Sequence, residues 1–247
     1  MFDHIVVVVM ENHGYEQVIG SRSAPWLNSI AQTGANLTNA HGETHPSEPN
    51  YIALYSGSTY GVTSDTCNVR LPGPSLGAQL VGAGRTFAAY SEGLPSVDWP
   101  GCSSGRYARK HNPLPSFRDT PAGASRPFTD FPSDYSRLPN VALVVPDLCN
   151  DTHDCPIATG DAWLRDHLGG YLTWATTHNS LLVVTYDEDE GRSINRIPTV
   201  LAGAHVRQGQ YAEQVDHVRL LRTIEQSFGL PGLAGAAGRQ PLTVVWQ

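Results

Sequence analysis

Apolar positions in this chain fall into two kinds of run. The unbroken kind is rich in β-branched residues: His4 to Met10, Asn140 to Val145 and Leu181 to Tyr186, with shorter versions at Thr86 to Tyr90 and Pro198 to Ala202. Continuous apolar runs of this length predict strands buried on both faces, as in a parallel sheet. The periodic kind predicts helices. Pro25 to Gly34 has Pro near its start and Gly after its end. Asp161 to Thr177 carries Trp163, Leu164, Leu168, Leu172 and Ala175 at helical spacing, and Asp216 to Phe228 turns Leu220, Leu221, Ile224 and Phe228 inward. Tyr51 to Tyr55 reads as a helix running into the core and ending at Ser56-Gly57, entered through a turn constrained by Pro46 and Pro49. The alternation predicts an α/β fold, a mostly parallel central sheet with helices on both faces, in a single domain over residues 1–247. Residues 91–139 break the pattern. They are dense in Pro, Gly, Ser and Arg, and predict a long irregular loop, a kind more often functional than idle.

Composition narrows the function. Acidic residues (23) outnumber basic ones (16), for a net charge of -7. That argues against nonspecific binding to nucleic acid or to anionic membranes. Ile5 to Met10 is too short to span a bilayer, and Phe2-Asp3-His4 is not the basic start of a signal peptide. Four cysteines are present, none in a C-x-x-C pair, which speaks against a thiolate zinc site. An even count in loop-like segments predicts two disulfides, Cys149–Cys155 and Cys67–Cys102, and with them an oxidising compartment, secreted or periplasmic. Four free thiols in a cytosolic protein is the competing reading.

The candidate chemistry lies at the predicted strand ends, where open α/β sheets place their sites. Three ends deliver Glu11-Asn12, Asp147 with His153, and Asp187-Glu188. One helix start delivers Ser47, where peptide N–H groups and the helix dipole favour an anion. On this stretch alone an ordinary helix cap is the favoured reading of Ser47, since caps far outnumber nucleophiles. Carboxylate and amide oxygens suit Mg, Mn or Ca, and the histidines admit Zn or Fe. A metal beside Ser47 would activate its hydroxyl, and His153 could protonate a leaving oxygen or orient a phosphate. Arg106 to Pro113 concentrates cations in an acidic chain, as either a solvated basic loop or an anion-binding lid. The run Asp187 to Gly191 lacks the spacing and the preceding helix of an EF-hand.

Six segments taken in order resemble the phosphoesterase family that holds bacterial acid phosphatases and phospholipase C enzymes, within the alkaline phosphatase superfamily. They are Glu11 to His13, Thr44 to Tyr51, Tyr107 to Pro113, Pro146 to Asp154, Gly160 to Leu164 and Asp187 to Gly191. The likeness runs almost end to end, through His217 and Leu220 to Glu225, and is nearest to the small secreted acid phosphatases. It implies Glu11, Asn12, Asp187 and Glu188 as ligands of a divalent metal ion (Mg, Ca, Mn or Zn), with Ser47 as ligand and nucleophile in a hydroxyl-x-Pro-Asn setting. It implies His153 as catalytic, with His111, Lys110 and His45 binding the substrate's phosphate. Asp147 and His217 fall where two-metal relatives place a second ion. No large carboxy-terminal domain follows, which favours a compact phosphatase.

The expected reaction is hydrolysis of a phosphomonoester through a phosphoserine, with lipid phosphates among the conceivable substrates. The alternatives are a phospholipase C-like phosphodiesterase and a noncatalytic secreted metal-binding protein. A serine esterase is disfavoured, since no G-x-S-x-G surrounds Ser47.

Overall fold

The computed structural model describes residues 2–191 and 194–247. Eight strands form its main sheet: β1 His4–Met10, β2 Ala35–Leu37, β3 Phe87–Ser91, β4 Ser125–Pro127, β5 Val141–Val145, β6 Ser180–Tyr186, β7 Thr199–Gly203 and β8 Gly209–Tyr211. Their order across the sheet is β8-β2-β7-β6-β1-β5-β3-β4. Every pairing is parallel except those of β7, which runs against both β6 and β2. The unbroken apolar runs became β1, β5 and β6, the middle of the sheet, in register from Ile5 with Val141 and from His4 with Ser180. All of Ile5 to Met10 is buried, as both faces of a central parallel strand must be.

Among the described residues five helices of seven residues or more accompany the sheet: α1 Pro25–Thr33, α2 Ser47–Ser56, α3 Leu76–Gly82, α4 Ile157–Ala175 and α5 His217–Ser227. Alternation along β1 tells which face each covers. Val7, with Phe87 and Leu143, meets Leu54, Tyr55, Leu76 and Ile224, so α2, α3 and α5 cover that face. Met10 points the other way, where a β-carbon on Gly160 would come within 2.8 Å of its side chain, so α4 lies on the opposite face, packed with α1. Asp161 joins these two helices, its carboxylate accepting from the N–H of Leu27 at 2.8 Å and of Trp26 at 3.0 Å at the start of α1. That satisfies two donors a helix start leaves orphaned.

Three expectations needed correction. Helix α4 begins four residues before Asp161, because Pro156 caps it directly after the Cys149–Cys155 disulfide, ahead of the apolar stripe. Helix α3 has no counterpart in the sequence pattern, because Pro72-Gly73-Pro74 and Gly82 enclose its seven residues in turn signals. The segment 91–139 is less irregular than expected. Ser125–Pro127 adds an edge strand beside β3, and four short 3-10 turns and a two-residue ladder, Ser103–Ser104 with Tyr107–Ala108, organise the rest.

Candidate active site

Sheet order brings the site together. β1 lies between β6 and β5, so the loops leaving their carboxyl ends are neighbours. Glu11 follows β1 and is held on both sides: its N–H donates to the Asp151 carbonyl at 2.8 Å, and its carbonyl accepts from Thr152 Oγ1 at 2.9 Å. Asp187 follows β6 and donates its N–H to the Met10 carbonyl at 3.0 Å. Asn12 carries a positive φ of 24° and turns its backbone N–H to Asp187 Oδ1 at 3.3 Å.

Ser47 is the first residue of α2 and does not cap it. Its Oγ lies 3.1 Å from Glu11 Oε2 and 3.2 Å from Glu188 Oε1, and the side chain is buried. The turn before it is locked by Asn50. Asn50 Oδ1 accepts from the N–H of Glu43 and Thr44 at 2.9 and 3.1 Å, and its Nδ2 donates to the carbonyls of Thr44 and Pro46 at 2.9 and 3.2 Å. One amide side chain thus fixes the approach to Ser47, the physical content of Asn50's place in the motif. All ten residues of α2 are buried, which anchors the backbone of Ser47 in the core.

Behind Glu11 stands a second layer. Tyr51 OH donates to Glu11 Oε1 at 2.5 Å and its ring stacks on His111 at 5.2 Å. His111 Nε2 is 3.1 Å from Glu11 Oε1, and its Nδ1 is 3.2 Å from Asp151 Oδ2. Both contacts are close without hydrogen-bond alignment, so His111 Nε2 and Asp151 Oδ2 are buried with no partner. Burial, with the Lys110 charge, holds His111 well below the usual imidazole range, so the ring is neutral and has one N–H to give. Glu11, His111 and Asp151 are all buried, and one ligand atom of each lies within 4.8 Å of the others, a group that could hold a metal ion.

Electrostatics favour a cation here. Burial raises Glu11 well above the carboxylate range, and the charges of Asp187 and Asp151 raise it further. Asp187 is raised by burial and by Glu188, while burial pushes Asp151 up to about 8 and Glu188 to about 7. Asp187 Oδ2 and Glu188 Oε2 are also buried without partners. Such carboxylates must bind protons or a metal, since buried charges persist only when paired. The donor set of hard oxygens beside Ser47 therefore fits a divalent cation. The Lys110 ammonium partly offsets burial at Glu11, Glu48 and Glu188.

The remaining expected residues sit as follows. His153 lies in the disulfide-closed loop with its ring 5.8 Å from that of His111, and its Nδ1 is 2.6 Å from Asp154 Oδ1. His45 Nε2 meets Asp189 Oδ1 at 2.9 Å, and Lys110 Nζ meets Asp65 Oδ2 at 2.9 Å. The structure does not bring Asp147 and His217 into a shared contact. Asp147 Oδ1 accepts from the N–H of Cys149 and Asn150 at 2.9 and 3.0 Å, as a turn residue does, while His217 Nε2 lies 2.9 Å from the Tyr186 carbonyl. Of the basic loop, Arg109 is neither solvated nor an anion ligand. It is buried and donates to the carbonyls of Pro100 and Pro115 at 3.0 Å and of Val69 at 3.4 Å. Sequence reading missed Asp151, Tyr51 and Asp65. Asp151 stands two residues before His153 in the segment Pro146 to Asp154, and only the fold separates its place from that of Asp147, which is nearer the strand end.

Both expected disulfides, Cys67–Cys102 and Cys149–Cys155, are formed. Among the described residues no helix is long and apolar enough to cross a membrane.

Comparison with known proteins bears on the family and the fold. Residues 21–231 match the Phosphoesterase family. The chain is 50% identical over 248 residues to a phosphatidylinositol-3-phosphatase of Mycobacterium tuberculosis, covering 99% of this chain and 83% of that one. It is 31% identical to an acid phosphatase of Aspergillus fumigatus, over 94% of this chain but 56% of the fungal one. A Vibrio parahaemolyticus protein of the alkaline phosphatase superfamily superposes with a TM-score of 0.67 at 14% identity, covering 98% of this chain and 71% of that one, which bears on fold alone. The chain belongs to the Phosphoesterase family and is a phosphoric ester hydrolase built on the alkaline phosphatase superfamily fold.

Proposed function

We propose that this enzyme is a metal-dependent phosphomonoesterase that works through a phosphoserine at Ser47. The observation that carries the reading is the single hydroxyl at a helix start, buried and within hydrogen-bond reach of Glu11 and Glu188 at once. Glu11, Asn12, Asp187, Glu188 and Ser47 would hold a divalent cation, which when bound supplies Lewis-acid activation of the hydroxyl and neutralises charge on the phosphoryl group. Ser47 Oγ attacks phosphorus, and its proton passes to the adjacent carboxylate of Glu11 or Glu188. The bond from phosphorus to the ester oxygen breaks as the Ser47 bond forms. His153 gives a proton to the departing alkoxide, and water then releases phosphate from Ser47. Lys110 holds the phosphoryl oxygens before and during transfer alike, and His111 braces Glu11 from behind, since positioning is most of what such a transfer asks of the protein. The nearby relative named for a phosphoinositide supports lipid phosphomonoesters as substrates alongside soluble ones. The two disulfides support an oxidising compartment, secreted or periplasmic.

Ser47→Ala tests the reading. With the carboxylates intact, turnover of phosphomonoesters is expected to fall by about a thousandfold or more, as loss of a nucleophile does. A variant retaining a tenth of wild-type activity would rule Ser47 out as nucleophile. Chelation should abolish activity and lower the melting temperature, because a ligand that binds only the folded state stabilises it by mass action. Faster turnover of a choline phospholipid than of any monoester would instead favour a phosphodiesterase.

A further inference from the structure

Residues 65 and 66 meet the nucleophile's helix in a reciprocal pair of bonds. Asp65 Oδ1 accepts the N–H of Glu48, the residue after Ser47, at 3.0 Å, and the N–H of Thr66 donates to Glu48 Oε2 at 2.6 Å. The other oxygen of Asp65 takes Lys110 Nζ at 2.9 Å. Lys110 belongs to the turn Arg109–His111, which packs on α2 and whose next residue, His111, stacks on Tyr51 behind Glu11. One carboxylate therefore spans the start of α2 and the ammonium nearest the acidic site. The chain directly after it is anchored twice: Cys67 is bonded to Cys102, and the Arg109 guanidinium donates to the Val69 carbonyl at 3.4 Å. Asp65 and Lys110 are each about a quarter exposed, 28% and 25% by side chain. Ion pairs this open add little to stability, about 0–1 kcal/mol, so folding is a weak reason for so constrained an arrangement.

We propose that Asp65 is a positioning residue of the phosphate site, holding the Lys110 ammonium over the acidic cluster and the first turn of α2 in place beneath the incoming phosphoryl group. This rests on Ser47 acting in a phosphomonoesterase. Asp65 touches neither substrate nor metal, and acts through Lys110 and the peptide N–H of Glu48. Because Lys110 would engage the phosphate equally before and during transfer, its misplacement should appear in KM rather than in kcat.

The test is Asp65→Asn, which keeps an acceptor for the Glu48 N–H and removes the charge that holds Lys110. KM for a soluble phosphomonoester is expected to rise about tenfold with kcat within about threefold, the size of one charge-assisted hydrogen bond. Thermal unfolding should be unchanged. In a Lys110→Met background Asp65→Asn should add almost nothing, since both act through one ammonium. Asp65→Glu, which restores the charge one methylene away, should recover part of the loss, and it replaces the amide variant should that one fail to fold. An unchanged KM, a lowered KM, or full additivity with Lys110→Met overturns the inference while leaving the phosphatase reading intact. A wild-type protein without turnover sinks the phosphatase reading instead. Calorimetric titration of inorganic phosphate into wild type and Asp65→Asn, both supplied with divalent cation, then decides the inference: weaker binding in the variant supports it and equal binding overturns it.

Discussion

Asp151 and Asp147 share one loop and have different work. Asp147 spends Oδ1 on two amides of its own turn, and its N–H donates to Glu92 Oε2 at 3.0 Å. That turn folds the loop back so that Asp151 arrives beside His111 and, through its carbonyl, at the N–H of Glu11. Asp147→Ala should therefore cost about 1–2 kcal/mol, the loss of two local hydrogen bonds, and leave the kcat of the folded fraction within about threefold. Asp151→Asn should do the reverse. It removes a buried carboxyl that burial has pushed up to about 8, so stability should hold or rise, while activity falls at least about tenfold as the His111 ring that backs Glu11 loses its carboxylate neighbour. Chemical unfolding run beside steady-state kinetics checks both. Equal activity losses in the two variants would remove the distinction.

The loop Arg109–His111 shows how one element serves two masters. His111 and Lys110 face the site, and Arg109 turns inward to the carbonyls of three separate segments. Its guanidinium is the tie among residues 69, 100 and 115, and burial together with Arg70 holds its pKa below the usual range. Arg109→Ala leaves the Pro100 carbonyl without its donor, while Arg70 Nη1 still reaches the Val69 and Pro115 carbonyls at 3.2 and 3.0 Å, and should cost about 1.5–3 kcal/mol, the size of a hydrogen bond to a charged group. Arg106→Ala, at an exposed position, should stay within about 0.5 kcal/mol. Melting temperatures of the two variants are the measurement, and similar shifts would refute Arg109's scaffold role.

Over the whole molecule, buried acids set the response to pH. Glu225, on α5 and away from the site, accepts from the N–H of Leu233 at 2.8 Å, and Arg222 lies 3.6 Å from its other oxygen. Burial still raises it from 4.5 to about 7. The folded state therefore keeps a proton that the unfolded chain gives up, and stability falls as pH rises from about 4.5 to about 7, then levels off. Glu225→Gln cannot titrate, so its melting curve should lose this part of the slope. Differencing the two proteins between pH 4.5 and 8 cancels the acids of the site, which both share. Parallel slopes would show that Glu225 ionises freely in the fold.

The unbroken run from Ile5 to Met10 determined a buried central strand by itself, because no solvated strand tolerates apolar side chains on both faces. Local signals likewise marked α1, α5, the loop cysteines and the turn before Ser47. Strand-end residues at Glu11 and Asp187 were legible because open α/β sheets put chemistry there. Only the tertiary structure decided which of these ends meet. The order β6-β1-β5 sets Glu11 between Asp187 and the loop of Asp151, and that order depends on long-range pairings no local period carries. The same holds for Arg109, whose charge reads as surface until the carbonyls of Val69, Pro100 and Pro115 close around it. Asp65 is the plainest case: one aspartate in a polar loop, given a role by bonds to residues 17 positions before it and 45 after it in the chain. Sequence patterning encodes burial and local geometry, and side-chain partnerships across loops are set when the sheet assembles.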